Sequence, residues 1–175
     1  MSGVVQAKEI KFIVDHNVGK LAKWLRMMGY DALLFKEEDD GSLVRLALAE
    51  DRVVLTKDSQ IMKRRVVTSG KLKAVFLDDD DPKVQLRKVI ETLCLDCQHR
   101  PFSLCLECNY PLVERAKEEV RGRVPPYVFE TQEQFMECPS CHRIYWRGTH
   151  WMAMKRVLQR LVTEEDRRAG DRGNN

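Results

Sequence analysis

The sequence predicts an α/β domain, a parallel sheet flanked by helices, followed by a small metal-stapled module. Three observations carry that expectation. Over residues 10–93, short β-branched runs alternate with stretches whose apolar residues recur at helical spacing. Acidic residues stand just past the carboxyl end of each strand-like run. All six cysteines fall into three Cys-x₂-Cys pairs beyond that region.

Residues 10–14 read as the first strand, ending at Asp15. Leu21, Trp24, Leu25 and Met28 then follow at i, i+3, i+4 and i+7, an amphipathic helix stopped by Gly29. Residues 31–35 form the second strand. A helix over about 42–50 carries Leu43, Leu46 and Ala47, and residues 52–56 are the third strand. A short basic helix is expected over 60–67, and the fourth strand over 73–77. Asp81 followed by Pro82 has the form of an N-cap with proline at the first helical position. Leu86, Val89, Ile90 and Leu93 give that last helix its buried stripe. Strands with β-branched cores, separated by helices, argue for a parallel sheet covered on both faces. After Leu93 the rhythm yields to cysteines and prolines. A final helix is expected over 151–161, with Trp151, Met154, Leu158 and Leu161 on one side. Residues 163–175 are charged, almost without apolar side chains, and are expected to be a flexible tail.

The 175 residues have room for one ordinary domain and an appendage. With 43% apolar and 33% charged residues, the composition suits a globular protein with a solvated surface. No apolar run exceeds four residues, which argues against a membrane span. The first eight residues lack a secretory apolar segment, so the cytoplasm is the expected location. The net charge is only +3, so any nucleic-acid role must rest on local clusters of charge.

Parallel strands put all their carboxyl ends on one edge, where α/β proteins place their sites. Asp15, Asp39 and Asp40, Asp58, and the acids of 78–81 would meet there. Carboxylates so gathered repel one another unless a cation neutralises them. Oxygen donors favour a hard ion, Mg²⁺ or Mn²⁺, which supports phosphodiester hydrolysis. The plainer alternative is that Asp40 and Asp81 are helix caps and 78–81 a solvated turn. No phosphate-cradling glycine motif is present, which weakens nucleotide-dependent chemistry. Lys20, Lys23 and Arg26 share one side of the first helix, and Lys57, Lys63, Arg64 and Arg65 surround Asp58. Beside a carboxylate cluster, such cations would position an RNA backbone; singly, each also suits a solvated helix face.

In a reducing compartment, paired cysteines read as metal ligands rather than disulfides. Cys105-x₂-Cys108 and Cys138-x₂-Cys141 form a zinc-ribbon pattern, two knuckles closing one tetrahedral structural site. Cys94 and Cys97 stay unassigned. One alternative pairs them with Cys105 and Cys108, leaving Cys138, Cys141, His142 and His150 for a second ion. Arg143, Tyr145, Trp146, Arg147, His150 and Trp151 interleave basic and aromatic side chains. Packing is expected for the tryptophans, and RNA contact for Arg143 and Arg147.

Several phrases together resemble one family: Phe12-Ile-Val-Asp15, Gly19-Lys-Leu-Ala-Lys-Trp-Leu-Arg26, Val54-Leu-Thr-Lys-Asp58, Cys105-Leu-Glu-Cys108, Val124-Pro-Pro-Tyr127, Cys138-Pro-Ser-Cys141 and Tyr145-Trp-Arg-Gly148. This combination is similar to the Mut-seven C-terminal RNase family, a PIN-like nuclease domain with a zinc ribbon. The resemblance spans about residues 10–155. It implies a PIN-like domain over 8–97, a ribbon with its helix over 98–162, and divalent-metal-dependent cleavage of RNA. By position, the implied acids are Asp15, Asp40 (or Asp39), Asp58 and one of 78–81, with Asp78 favoured. The expected cofactors are structural zinc and catalytic Mg²⁺ or Mn²⁺. The expected partner is RNA, and oligomeric state is left open, a homodimer being common among PIN-like domains. Two other functions compete: a non-catalytic RNA-binding adaptor with a degenerate nuclease domain, and a phospho-receiver-like domain. The receiver reading lacks the lysine expected after the fourth strand.

Overall fold

Alternation along β1 (Phe12–Asp15) sorts the α/β half into two layers. Phe12 and Val14 point into one apolar cluster and Ile13 into another. The computed structural model describes residues 8–171, with side chains described through Thr163. β1, β2 (Ala32–Phe35), β3 (Val53–Thr56) and β4 (Ala74–Phe76) are all parallel, in the order β2-β1-β3-β4. Helices α1 (Leu21–Met28) and α5 (Pro82–Leu93) cover the Val14 face. Helices α2 (Asp40–Glu50), α3 (Ser59–Met62) and α4 (Arg65–Thr68) cover the Ile13 face. The expected sheet with helices on both sides is therefore present.

Two boundaries differ from the sequence reading, each for a local reason. α2 begins at Asp40 rather than Ser42, because the Asp39 carboxylate accepts from the amides of Gly41 and Ser42 as N-cap. The expected single basic helix is broken between α3 and α4, where Arg64 is extended. Ile61 and Val66 both pack on the Ile13 cluster. At a spacing of i, i+5 they would lie on different sides of a continuous helix. Asp81 caps α5 as expected, accepting from the Lys83 amide, with Pro82 in the first turn.

Beyond α5, β5 (Val113–Arg115), β6 (Phe135–Glu137) and β7 (Ile144–Tyr145) form a small antiparallel sheet. A 3₁₀ turn at Lys117–Val120 and α6 (Pro126–Thr131), neither expected from the sequence, sit between β5 and β6. Only Val120, Val124 and Phe135 are fully enclosed in this module's own cluster. α7 (Thr149–Asp171) runs beyond the expected 151–161. Part of the expected tail thus belongs to this helix, and residues 172–175 lie outside the described residues. Trp151, Leu158 and Leu161 return to the α1–α5 cluster, with Trp151 edge-on to Phe102 at 4.8 Å. No helix among the described residues is long and apolar enough to cross a membrane.

Polar ties fix the first cysteine knuckle against the α1–β2 corner. Arg26 is 5% exposed, and its guanidinium donates to the carbonyls of Ala32, Leu106 and Glu107 at 2.9, 2.8 and 3.1 Å. Asn109 donates to Asp31 at 2.7 Å and accepts from the Ala32 amide at 3.0 Å. Gly29 ends α1 at φ 93°, and a Cβ there would lie 2.2 Å from the Arg100 carbonyl oxygen. Gly29→Ala therefore combines left-handed strain with a backbone clash. We expect a loss of at least about 1–3 kcal/mol in urea unfolding, larger than for Gly70→Ala, which meets left-handed strain at φ 77° but no atom within 4 Å.

Candidate active site and metal centre

The order β2-β1-β3-β4 makes the chain change direction across the sheet between β1 and β3. In open α/β sheets the ligand crevice lies outside the carboxyl ends of such a pair. Asp15 follows Ile13 by two residues and Thr56 follows Val54 by two, so both face the α2 side. Thr56, fully buried, donates its hydroxyl to Asp15 Oδ2 at 2.7 Å and accepts from the Asp58 amide at 2.9 Å. Asn17 donates to the same Oδ2 at 2.9 Å and accepts from the Lys57 amide at 3.2 Å. His16 Nδ1 lies 3.0 Å from Asp15 Oδ1. Asp15, 4% exposed, is thus held by three neighbours rather than left mobile.

Asp58 caps α3 by accepting from the Gln60 amide at 2.7 Å. Asp40 opens α2 beside these two acids. Burial and then the Asp58 charge push the Asp40 carboxyl above its ordinary value; Arg64 pulls against them, and the Asp15 charge and a hydrogen bond to Asp58 add smaller upward contributions. The fold therefore places Asp40 at the same rim as Asp58 and Asp15, near enough to feel both charges. Asp39 is turned away into its cap, paired with Ser42 and, at 3.5 Å, Arg45.

Asp78 does not join this group. It is ion-paired with Lys88 of α5 at 3.1 Å, and that ammonium holds its carboxyl below the ordinary value. Asp80 pairs with Lys57, so the lysine beside Asp58 is directed to the acidic turn. The expected contact of Arg26 with RNA is corrected: its guanidinium is buried and bonded to backbone carbonyls. Lys23 and Arg143 both meet Glu107, and the Arg147 guanidinium lies over the Phe102 ring at 5.3 Å. Lys20 is exposed at the start of α1. The sequence reading missed Thr56, Asn17 and His16. A threonine at an inward-facing strand position was the available signal for the first.

The sulfur centre is built by two knuckles of the same backbone design. Cys105 donates its amide to the Tyr110 carbonyl and accepts from the Asn109 amide; Cys138 does the same with Arg143 and His142. Asn109 and His142 both adopt positive φ, 64° and 60°, which turns each knuckle back on itself. The Sγ atoms of Cys105, Cys108, Cys138 and Cys141 all lie within 4.8 Å of one another. Cys105 and Cys141 are 3.8 Å apart. Zn–S bonds of about 2.3 Å in a tetrahedron give an S···S edge of about 3.8 Å, so the donors fit zinc. Burial raises the Cys105 thiol, but bonds from the Tyr145 hydroxyl and the Cys108 and Glu107 amides bring it down to about 7. Cys108, bonded to Cys141 and facing Cys105, is pushed up to about 12. Four thiolates therefore coexist here only around a cation.

Cys94 and Cys97 stand outside this group. Cys94 instead closes α5 in a left-handed conformation, φ 51°. Asp96 between them is fixed by the Tyr30 hydroxyl, which accepts from its amide at 2.9 Å. Metal analysis should give one zinc per chain, lost with Cys108→Ser or Cys141→Ser together with a lower melting temperature. Cys94→Ser should keep the full zinc content; its loss there would contradict this ligand set.

Among known families, the model described as the Mut7-C RNAse domain matches residues 10–158. No curated protein and no solved structure matches the chain. The match runs from before Asp15 to beyond Cys141 and so takes in both the carboxylate rim and the sulfur centre. The chain belongs to the Mut7-C RNAse domain family.

Proposed function

We propose that the chain is a divalent-cation-dependent ribonuclease that cuts RNA internally. The observation that carries this reading is the placing of Asp15, Asp40 and Asp58 at one rim by the β1/β3 switch point, where the charges of Asp58 and Asp15 act on Asp40, in a chain of an RNase-domain family. Asp40 is the fit test for a cation. Its carboxyl is pushed toward the neutral form by burial first and by the Asp58 charge next, an effect that a bound Mg²⁺ or Mn²⁺ would reverse. An all-oxygen donor set suits those ions. Their contribution, once bound, is an activated water and neutralisation of the charge that builds on phosphorus.

The chain's own residues do the positioning. Thr56 and Asn17 anchor one oxygen of Asp15 and leave the other toward His16. Asp58 is held at both its amide and its carboxylate, so β3 and α3 fix its direction together. His16 is 52% exposed in its side chain, so the rim is open to a strand approaching without a free end. Hydrolysis in this frame leaves a 5′-phosphate and a 3′-hydroxyl. The fourth acid expected at Asp78 has no part in this reading while Lys88 holds it.

Asn replaces Asp in both a cap and a hydrogen-bond acceptor, so Asp15→Asn and Asp58→Asn should fold normally. Each should lower Mn²⁺-supported cleavage of single-stranded RNA by at least about 100-fold. Full activity in both would sink the proposal, and RNA binding without any cleavage in any metal would favour the adaptor reading. Asp40 supplies a separate check. Its folded-state pKa lies above the unfolded value, so its ionised form opposes folding at neutral pH in the metal-free chain. Asp40→Asn should thus leave the metal-free protein equally or more stable, yet remove the rise in melting temperature that Mn²⁺ gives. In the parent chain, Mn²⁺ affinity should fall as the pH drops through the raised Asp40 pKa, with protons released on binding.

A further inference from the structure

A cleft of about 620 Å³ lies between α1, the first knuckle and the start of α7. That volume suits a nucleotide-sized ligand. Neither the carboxylate rim nor the sulfur centre accounts for it. Trp24 of α1 and Tyr145 of β7 contribute aromatic surface, and Lys20, Lys23 and Arg143 bring positive charge. The Tyr145 ring is locked: its hydroxyl lies 3.1 Å from Cys105 Sγ and accepts from the Leu106 amide at 3.2 Å.

At the cleft's charged end, a single oxygen, Glu107 Oε1, meets Lys23 Nζ at 2.6 Å and an Arg143 nitrogen at 3.3 Å. One cation comes from α1 and the other follows the second knuckle, so folding itself assembles a two-cation seat for an anion. The anion now seated is the chain's own carboxylate, on a side chain 37% exposed.

We propose that this cleft is a nucleotide subsite for single-stranded RNA. A backbone phosphate takes the place of the Glu107 carboxylate between Lys23 and Arg143, and the attached base lies against Trp24 and Tyr145. A phosphodiester carries the same single charge as a carboxylate and offers two oxygens to the two cations. Stacking needs an exposed base face, which a single strand has and a duplex covers. Glu107 acts as a displaceable occupant that keeps the seat filled until RNA arrives. The subsite rests on the ribonuclease reading for its ligand and extends it to substrate choice. Gly19 at the cleft's edge is only four positions after Asp15, a span of no more than about 14 Å, so one oligonucleotide reaches both.

The test uses the full-length, zinc-loaded chain carrying Asp15→Asn, so that RNA is bound and not consumed. The probe is a labelled single-stranded RNA of about ten nucleotides, read by fluorescence anisotropy across a salt series. Glu107→Gln should tighten binding roughly two- to fivefold, as removal of a surface-type ion pair allows. Arg143→Ala should weaken it about fourfold in 0.15 M salt and reduce the salt slope by about 0.7. Lys23→Ala on α1, away from the sulfur ligands, should repeat that loss and serves as the readout if the arginine variant loses zinc. Duplex RNA of the same sequence should bind more weakly. Equal affinity and salt slope for Glu107→Gln, Lys23→Ala and the parent would overturn the subsite, as would equal binding of duplex and single strand. Cleavage by the unmodified chain is scored separately. Normal cleavage with insensitive cleft variants sinks the subsite alone, whereas shifted affinities without cleavage sink the nuclease reading alone.

Discussion

Because β1 and β3 run side by side in the same direction, with Val14 opposite Leu55, their next residues emerge together at one rim. Everything chemical in the α/β half follows from that pairing. Asp15 and Thr56 come to lie on one face, and the Thr56 hydroxyl bridges the carboxylate to the Asp58 amide. An antiparallel pairing would send these residues to opposite ends of the sheet. A shift of one residue would turn Asp15 into the Val14 cluster among Phe12, Leu25 and Leu55. The α2 helix completes the rim because it leaves the same edge after β2 and carries Asp40 in its first turn.

A group of acids is costly to gather, and the fold meets the cost locally. Thr56, Asn17 and His16 solvate Asp15 from within the protein, while the Gln60 amide takes up part of the Asp58 charge. Asp40 is the acid whose carboxyl rises, through its burial first and then the charge of Asp58 beside it. The residual repulsion therefore sits on one identified side chain at the entrance to α2.

Much of this was legible in the sequence. Strand and helix order came from periodicity, and the four sulfur ligands came from spacing, because a Cys-x₂-Cys knuckle is a local backbone feature. Three of the strand-end acids stand at one rim, where the charges of Asp58 and Asp15 act on Asp40. What failed to show was where each charge is directed. Asp78 has the same position relative to its strand as Asp15, yet Lys88 one helix later decides its fate. Arg26 shares a helix side with Lys23, yet one is buried against carbonyls of residues 106 and 107 while the other reaches the surface. Those partners lie some eighty positions away in the chain, and periodicity carries no record of such contacts. The break at Arg64 belongs to the same class, since it answers to the shared cluster of Ile61 and Val66.

The two clusters also differ in geometry, which supports the different roles proposed for them. The thiols close on one point, with four donors inside 4.8 Å, whereas among the described residues no set of three carboxylates converges so tightly. A closed sulfur shell leaves no coordination position for a substrate, and so it serves to staple a module whose own core is three buried side chains. A looser oxygen rim leaves positions that a phosphate can fill. Arg26 ties the sulfur-bearing module to the α/β half, because its guanidinium spans from the amino end of β2 at Ala32, the sheet edge opposite the rim, to the knuckle at Leu106 and Glu107. Through that span, and through Asn109, the module is held against the α1–β2 corner. The fold of the sulfur-bearing module thereby sets where Glu107, Arg143 and Tyr145 stand relative to α1.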